Sequence, residues 1–170
     1  MKVLVIGNGG REHALAWKLS ESKSVDKIYM ARGNGGTEDF CENLDLDPKD
    51  IDGLLKFASE EKIDLTVVGP EDPLCMGLVD AFNEKGLKVF GPNKACARFE
   101  KSKEFTKKFL EKYSIPTAKY RSFENYDDAI KGLVEFSYPL VVKADGLCLG
   151  KGVIICQNLD EAKDALHKIF

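Results

Sequence analysis

Long apolar runs are missing from this 170-residue sequence. No stretch approaches the ~18 residues that a membrane span requires. The N-terminus is a short apolar run ending in glycines, without the longer apolar segment and small-residue cleavage site of a signal peptide. Histidine is scarce, with only His13 and His167, which argues against a His-based metal site. The five cysteines (Cys41, Cys75, Cys96, Cys148 and Cys156) are odd in number and scattered, with no C-x-x-C pair. That pattern excludes a zinc ribbon and a disulfide framework, and it points to reduced thiols and a cytoplasmic location. An excess of positive charge is also absent: 25 basic against 28 acidic residues gives a net charge of −3. Neither nucleic acid nor a membrane is therefore expected as a partner. What remains is an ordinary globular composition, 44% hydrophobic and 31% charged, long enough for one domain or slightly more.

Short apolar runs alternate with helical patterns. Val3-Leu4-Val5-Ile6, Ile28-Tyr29-Met30, Leu65-Thr66-Val67-Val68 and Leu87-Lys88-Val89-Phe90 read as strands. Most are nearly continuous in apolar residues, as parallel strands covered on both faces should be. Between them, Asp47-Pro48 reads as an N-cap with proline at the first helical position, followed by Ile51, Leu54, Leu55 and Ala58 in helical period. Asp72-Pro73 reads the same way before Leu74, Leu78 and Phe82. Alternation of this kind implies βαβ units with right-handed crossovers, and hence an α/β fold with an open parallel, Rossmann-like sheet. There are no internal repeats and no low-complexity tracts.

The texture changes near residue 100. Residues 100–113 form a lysine-rich helical pattern with Phe105, Phe109 and Tyr113 on one stripe, and Ile115-Pro116 ends it. A polar helix over residues 127–135, a strand at Leu140-Val141-Val142-Lys143, a glycine loop and a strand at Val153-Ile154-Ile155 follow. The final helix opens at Asn158 with Glu161 at capping-box spacing. It reaches Phe170 without a C-cap, which reads as a fragment of a longer protein. This second part is expected to have at most a small core of its own.

Three constellations carry chemistry. Gly7-Asn8-Gly9-Gly10-Arg11-Glu12-His13 follows a strand and opens a helix, an arrangement that offers backbone N–H groups to an anion. It departs from the dinucleotide fingerprint G-x-G-x-x-G, because Glu12 stands where the third glycine belongs. The second strand runs into Ala31-Arg32-Gly33-Asn34, with no acid for a ribose hydroxyl. A phosphate-bearing ligand smaller than a dinucleotide fits better, with Arg11 as phosphate or orienting group. The alternative for the loop alone, a glycine turn needed only for packing, carries less weight. Two further turns, Gly33-Asn34-Gly35-Gly36-Thr37 and Gly69-Pro70-Glu71-Asp72, also follow strands. All three therefore belong at the carboxyl edge of the sheet, where open α/β sheets bind ligands.

The second constellation runs from Lys143 through Asp145, Gly146, Gly150 and Lys151 to Gly152, a strand–loop–strand hairpin able to fold over a polyphosphate. It is not a Walker sequence, since Gly152 follows Lys151 and the loop leads into a strand. The third is Glu100-Lys101-Ser102-Lys103-Glu104-Phe105, which in isolation reads as a solvated helix start.

In combination these segments resemble the glycinamide ribonucleotide synthetase family (phosphoribosylamine–glycine ligases) of the ATP-grasp superfamily, along essentially the whole sequence. Residues 7–13 are similar to its GxGGREH, residues 64–74 to its DLTVVGPExPL, and Phe90-Gly91-Pro92 with residues 100–105 to its FGP…ExSKxF. Residues 138–153 are similar to its YPLVxKADGLxxGKGV.

The resemblance implies a Rossmann-like (pre-ATP-grasp) phosphoribosylamine-binding domain over residues 1–101. The start of an ATP-grasp domain, a linker helix and small lid subdomain, is implied over residues 102–170. It implies substrate contacts from Gly9, Gly10, Arg11, Glu12, Gly69, Pro70 and Glu71. ATP contacts are implied for Lys103, Lys143, Gly146, Gly150, Lys151 and Gly152. The reaction implied joins glycine to 5-phosphoribosylamine with ATP, giving glycinamide ribonucleotide, ADP and phosphate in purine synthesis, with no protein nucleophile. Mg²⁺ is implied as well, its ligands and most of the glycine site lying beyond Phe170, so that this chain alone is not expected to catalyse the reaction. Lys101 in place of a common glycine, Arg32 in place of a common proline, and Cys148-Leu149 in place of a small pair are departures from the pattern. Two alternatives stand beside this reading: a non-catalytic phosphoribosyl- or nucleotide-binding module, and an NAD(P)-dependent Rossmann oxidoreductase.

Overall fold

The structure is a computed structural model that describes residues 1–148 and 152–170. It divides into two compact units, residues 1–98 and 99–170.

The first unit is built on a five-stranded parallel sheet: β1 (Lys2–Gly7), β2 (Lys27–Arg32), β3 (Glu42–Leu44), β4 (Leu65–Val68) and β5 (Val89–Phe90). In space the order is β3-β2-β1-β4-β5, every neighbouring pair parallel. The chain winds outward from β1 to β3 and then returns to place β4 on the other side of β1. The switch point of the sheet thus lies between β1 and β4. Residues 3–6 are fully buried, as expected of a central strand covered on both faces. Each such side chain contributes ~1.5–3 kcal/mol of burial free energy. One side of the core joins Val3, Val5, Ile28, Met30 and Val67 to Ala16 of helix α1 (Gly10–Ser20). Leu54 of α2 (Ile51–Glu60) is also fully buried, as are Leu78 and Phe82 of α4 (Leu78–Glu84).

Several boundaries differ from the sequence reading. The cap of α2 is Asp50, whose side chain accepts the Gly53 N–H at 3.0 Å. Asp47 instead closes the turn before it, accepting the Lys49 N–H on its carboxylate and the Asp50 N–H on its carbonyl. The helical pattern from Leu74 to Phe82 is two helices, α3 (Glu71–Met76) and α4. Gly77, at φ +101°, breaks it, and Pro73 sits inside the first turn of α3, where a missing N–H costs nothing. β5 is only two residues long, and β3 is an edge strand with a single apolar residue that no periodicity announced.

The unit boundary falls within α5 (Lys94–Lys101). The pattern over residues 100–113 is likewise not one helix: Ser102, in extended conformation (φ −130°, ψ 116°), separates α5 from α6 (Lys103–Lys112). In the second unit Phe99 packs on Phe105 and Phe109, and Phe109 packs on Tyr113. An antiparallel hairpin, β6 (Leu140–Lys143) and β7 (Val153–Cys156), carries Leu140, Val142 and Cys156 on its buried face. Against them lie Ala129 of α7 (Tyr126–Gly132), Leu133, and Ala162, Ala165 and Leu166 of α8 (Leu159–Ile169). This core is larger than the sequence suggested, because Ala129, Ala162 and Ala165 allow close helix approach. The opposite face of the hairpin leaves Val141, Val153 and Ile155 exposed. Asn158 caps α8 through the Glu161 N–H, while Glu161 reaches back to the Gln157 N–H rather than to that of Asn158.

Candidate functional site

Turns after β1, β2 and β4 meet at the carboxyl edge of the first unit. The Gly33 N–H donates to the Gly7 carbonyl at 3.1 Å, and the Gly69 N–H to that of Ile6 at 3.2 Å. Asn34 Nδ2 donates to the Asn8 carbonyl at 3.0 Å. The second turn is tied internally as well: Thr37 is fully buried and accepts the Asn34 N–H, and Asn43 Nδ2 donates to the Asn34 carbonyl.

Within this edge Arg11 joins two carboxylates. Its Nε donates to Glu12 Oε1 at 2.8 Å and a terminal nitrogen donates to Glu71 Oε2 at 3.0 Å. These bonds, Glu12 first and then Glu71, raise the guanidinium pKa above its already high ordinary value. The Arg11 side chain nevertheless stays 60% exposed, so N–H groups remain for a ligand. Glu71 is the first residue of α3, where the helix dipole favours an acid. Gly9 and Gly10 are exposed at the start of α1, and a Cβ on Gly10 would meet nothing. Pro70 is the N-cap residue of α3.

Glu12 occupies a different place from its neighbours. The residue is 4% exposed, its carboxylate turned back beneath the loop, with Oε2 accepting the Gly9 N–H at 2.9 Å. A signal for this was present in the sequence, since Gly9 and Glu12 stand at the N-cap and N3 spacing of a capping box.

In the second unit Asp145 accepts the Lys103 N–H at 2.6 Å, the Glu104 N–H at 3.2 Å and the Ser102 hydroxyl at 3.0 Å. Lys103 Nζ donates to the Gly146 carbonyl at 2.7 Å. Nothing in the sequence alone signals this role for Asp145, which depends on contacts more than forty residues away. Partial burial pushes its pKa up, but the N–H groups of Glu104, Lys103 and Gly146 and the Ser102 hydroxyl together hold it below the usual value. Lys143 is exposed at the last position of β6, opposite Val153. The hairpin closes where the Ala144 N–H donates to the Gly152 carbonyl at 2.8 Å. Gly152 is confined, as a Cβ there would lie 2.8 Å from that of Cys148. Gly150 and Lys151, both expected at the ATP, lie outside the described residues.

Among the described residues no group of three or more His, Cys, Asp or Glu is arranged to hold a metal ion. No described helix is long and apolar enough to cross a membrane, and none of the five cysteines forms a disulfide.

Comparison with known proteins gives a consistent result. Residues 1–100 match the family model for the phosphoribosylglycinamide synthetase N domain, and residues 101–170 match that for its ATP-grasp (A) domain. The phosphoribosylamine–glycine ligase of Haemophilus influenzae is 54% identical over 172 aligned positions, which take in 100% of this chain and 40% of the relative. The chain therefore spans about 40% of the length of the curated relatives it matches. Among solved structures, the phosphoribosylamine–glycine ligase of Thermotoga maritima superposes with a TM-score of 0.76 at 32% identity, covering 96% of this chain and 38% of that one. N5-carboxyaminoimidazole synthase from Aspergillus clavatus, solved with ADP and 5-aminoimidazole ribonucleotide, gives 0.69 at 19% identity over 99% of this chain and 44% of that one. At that identity it shares the fold alone. With the N-domain match spanning more than half of its length, the chain belongs to the phosphoribosylglycinamide synthetase family.

Proposed function

We propose that this chain is the part of a phosphoribosylamine–glycine ligase that receives phosphoribosylamine and begins the ATP site. The full protein then joins glycine to 5-phosphoribosylamine, with ATP converted to ADP and phosphate. The observation that carries this reading is Arg11, exposed at the meeting point of three strand-end turns and braced by two carboxylates. Around it, Gly10, Gly69, Pro70 and Glu71 supply backbone and carboxylate groups suited to a small substrate with a phosphate at one end and an amine at the other, while the Gly9 N–H is already held by Glu12. Residues 1–101 form the phosphoribosylamine domain in this reading and residues 102–170 the first part of the ATP-grasp domain.

ATP is a substrate here, and the donor set fits its phosphates. Lys143 is exposed on the open face of the hairpin, and the loop from Gly146 to Gly152 carries backbone N–H groups. Lys103 and Lys151 complete the proposed set. Transfer of the terminal phosphoryl group to the glycine carboxylate would give an acyl phosphate and ADP. The phosphoribosylamine nitrogen then attacks the acyl carbon, and phosphate leaves. Such transfer depends on positioning and charge neutralisation, which is the role these lysines and N–H groups are suited to play. Mg²⁺ would add further neutralisation, and among the described residues no group of three or more His, Cys, Asp or Glu is arranged to hold it.

The test is Arg11→Ala in the full-length protein. The KM for phosphoribosylamine should rise far more than the KM for ATP. Equal rises would overturn the assignment.

A further inference from the structure

The glycines of the first turn serve a side chain of this protein. In a strand–turn–helix that binds dinucleotides, glycines let an external pyrophosphate approach the loop N–H groups. Here the space is filled from within. A Cβ on Gly7 would lie 2.4 Å from Glu12 Cγ, one on Gly9 would lie 2.8 Å from Oε2, and one on Gly69 would lie 2.3 Å from both Cγ and Oε1. Three glycines from two turns thus make room for one carboxylate, whose side chain is only 5% exposed. That carboxylate has already taken the Gly9 N–H, and it has also taken Arg11 Nε–H. Arg11 is planar, so fixing Nε on Glu12 and one terminal nitrogen on Glu71 fixes the direction of the whole fork.

We infer that Glu12 is a resident anion and a positioning residue. It replaces the external phosphate in the turn, closes the turn to a dinucleotide, and orients Arg11 toward the substrate without touching the substrate itself. The inference rests on the reading of Arg11 as a phosphoribosylamine contact and adds the group through which that contact is set. It also predicts that the substrate phosphate is held by Arg11 and not by the Gly9 N–H.

The experiment is a double-mutant cycle in the full-length protein with Glu12→Gln, Arg11→Ala and both together, reading KM for phosphoribosylamine, KM for ATP and kcat. Glutamine keeps the shape and removes the charge. Glu12→Gln should raise KM for phosphoribosylamine about tenfold or more, the loss of one charge-assisted bond, with KM for ATP little changed. In the Arg11→Ala background it should add nothing, because its effect passes through Arg11. Additive losses would overturn the inference, as would an unchanged KM in Glu12→Gln while Arg11→Ala raises it; the proposed function survives both outcomes. An unchanged KM in Arg11→Ala would overturn the proposed function and this inference together. Glu12→Asp, which keeps the charge but draws it back from the Gly9 N–H and Arg11 Nε, provides an independent check should Glu12→Gln fold poorly. It should raise the same KM, and no change would count against the role of Glu12.

Discussion

Asp145 braces the break between α5 and α6 at Ser102: its carboxylate accepts the Lys103 N–H at 2.6 Å from a position just past the end of β6. Ser102 completes the arrangement by accepting the Phe105 N–H and donating its hydroxyl to Asp145. Two side chains therefore satisfy the first N–H groups of α6, which would otherwise lack intrahelical partners. Asp145→Ala should destabilise the second unit by about 1 kcal/mol in urea unfolding at pH 7. Ser102→Ala should cost a similar amount, with losses that fail to add because the two residues share a bond.

The same contact gives a pH signature. Asp145 has its pKa depressed in the folded state, so its stabilisation is complete above the unfolded value near ~3.9. It is lost as pH falls through the lower folded value. The stability difference between the wild-type chain and Asp145→Ala should therefore shrink as the pH is lowered below the unfolded value of ~3.9. A difference that stays constant from pH 7 downward would show that the carboxylate charge does not matter to the cap.

Gly77 separates α3 from α4 at φ +101°, in the left-handed region where an L side chain is strained. An added Cβ would also press on Lys94 Cδ at 3.3 Å, though that flexible chain can give way. Strain is thus the main cost, and Gly77→Ala should lower stability by about 1–2 kcal/mol. Thermal unfolding of the pair measures it. Equal stability would mean that the break between the helices relaxes freely.

What the sequence made legible follows how local each signal is. β1 and β4 were readable because residues 3–6 and 65–68 are almost wholly apolar and covered on both faces. β3 was not, because Glu42-Asn43-Leu44 becomes a strand only by pairing with residues 29–31 of β2. The break at Ser102 was hidden for a similar reason. The aromatic period runs on through Phe105, Phe109 and Tyr113, while the carboxylate that holds the break at Ser102 comes from Asp145, more than forty residues later. The turn Gly7-Asn8-Gly9-Gly10 could be placed from its glycines, but which group those glycines accommodate could not. That depends on Gly69, which reaches the same carboxylate from another strand.

Phe82, on α4, which packs against β5, is the largest fully buried side chain among the described residues. Its backbone carbonyl also accepts the Leu87 N–H that leads the chain toward β5. Truncation leaves a cavity that the β-sheet cannot close by moving. Phe82→Ala should cost ~3–5 kcal/mol, read as a lower urea midpoint with little change in slope. A cost under about 1 kcal/mol would mean that the helix layer collapses into the space.

Lys143 and Lys103 differ in how their charge is employed. Lys103 Nζ is tied to the Gly146 carbonyl, which anchors the root of the loop to α6. Lys143 sits exposed on the open face of the hairpin beside Val141 and Ile155, and among the described residues no carboxylate pairs with it. Its ammonium is therefore available to a phosphate at little desolvation cost from broken partners. Loss of one charge-assisted contact of ~1.5–3 kcal/mol corresponds to about a 10–150-fold change. Lys143→Ala in the full-length protein should reduce kcat/KM for ATP within that range while KM for phosphoribosylamine holds. Lys143→Arg should retain more activity than Lys143→Ala because it keeps the charge. Lys103→Ala should show the smaller ATP effect, together with a loss of stability in the second unit that Lys143→Ala does not share. An unchanged kcat/KM for ATP in Lys143→Ala would remove this lysine from the proposed nucleotide site.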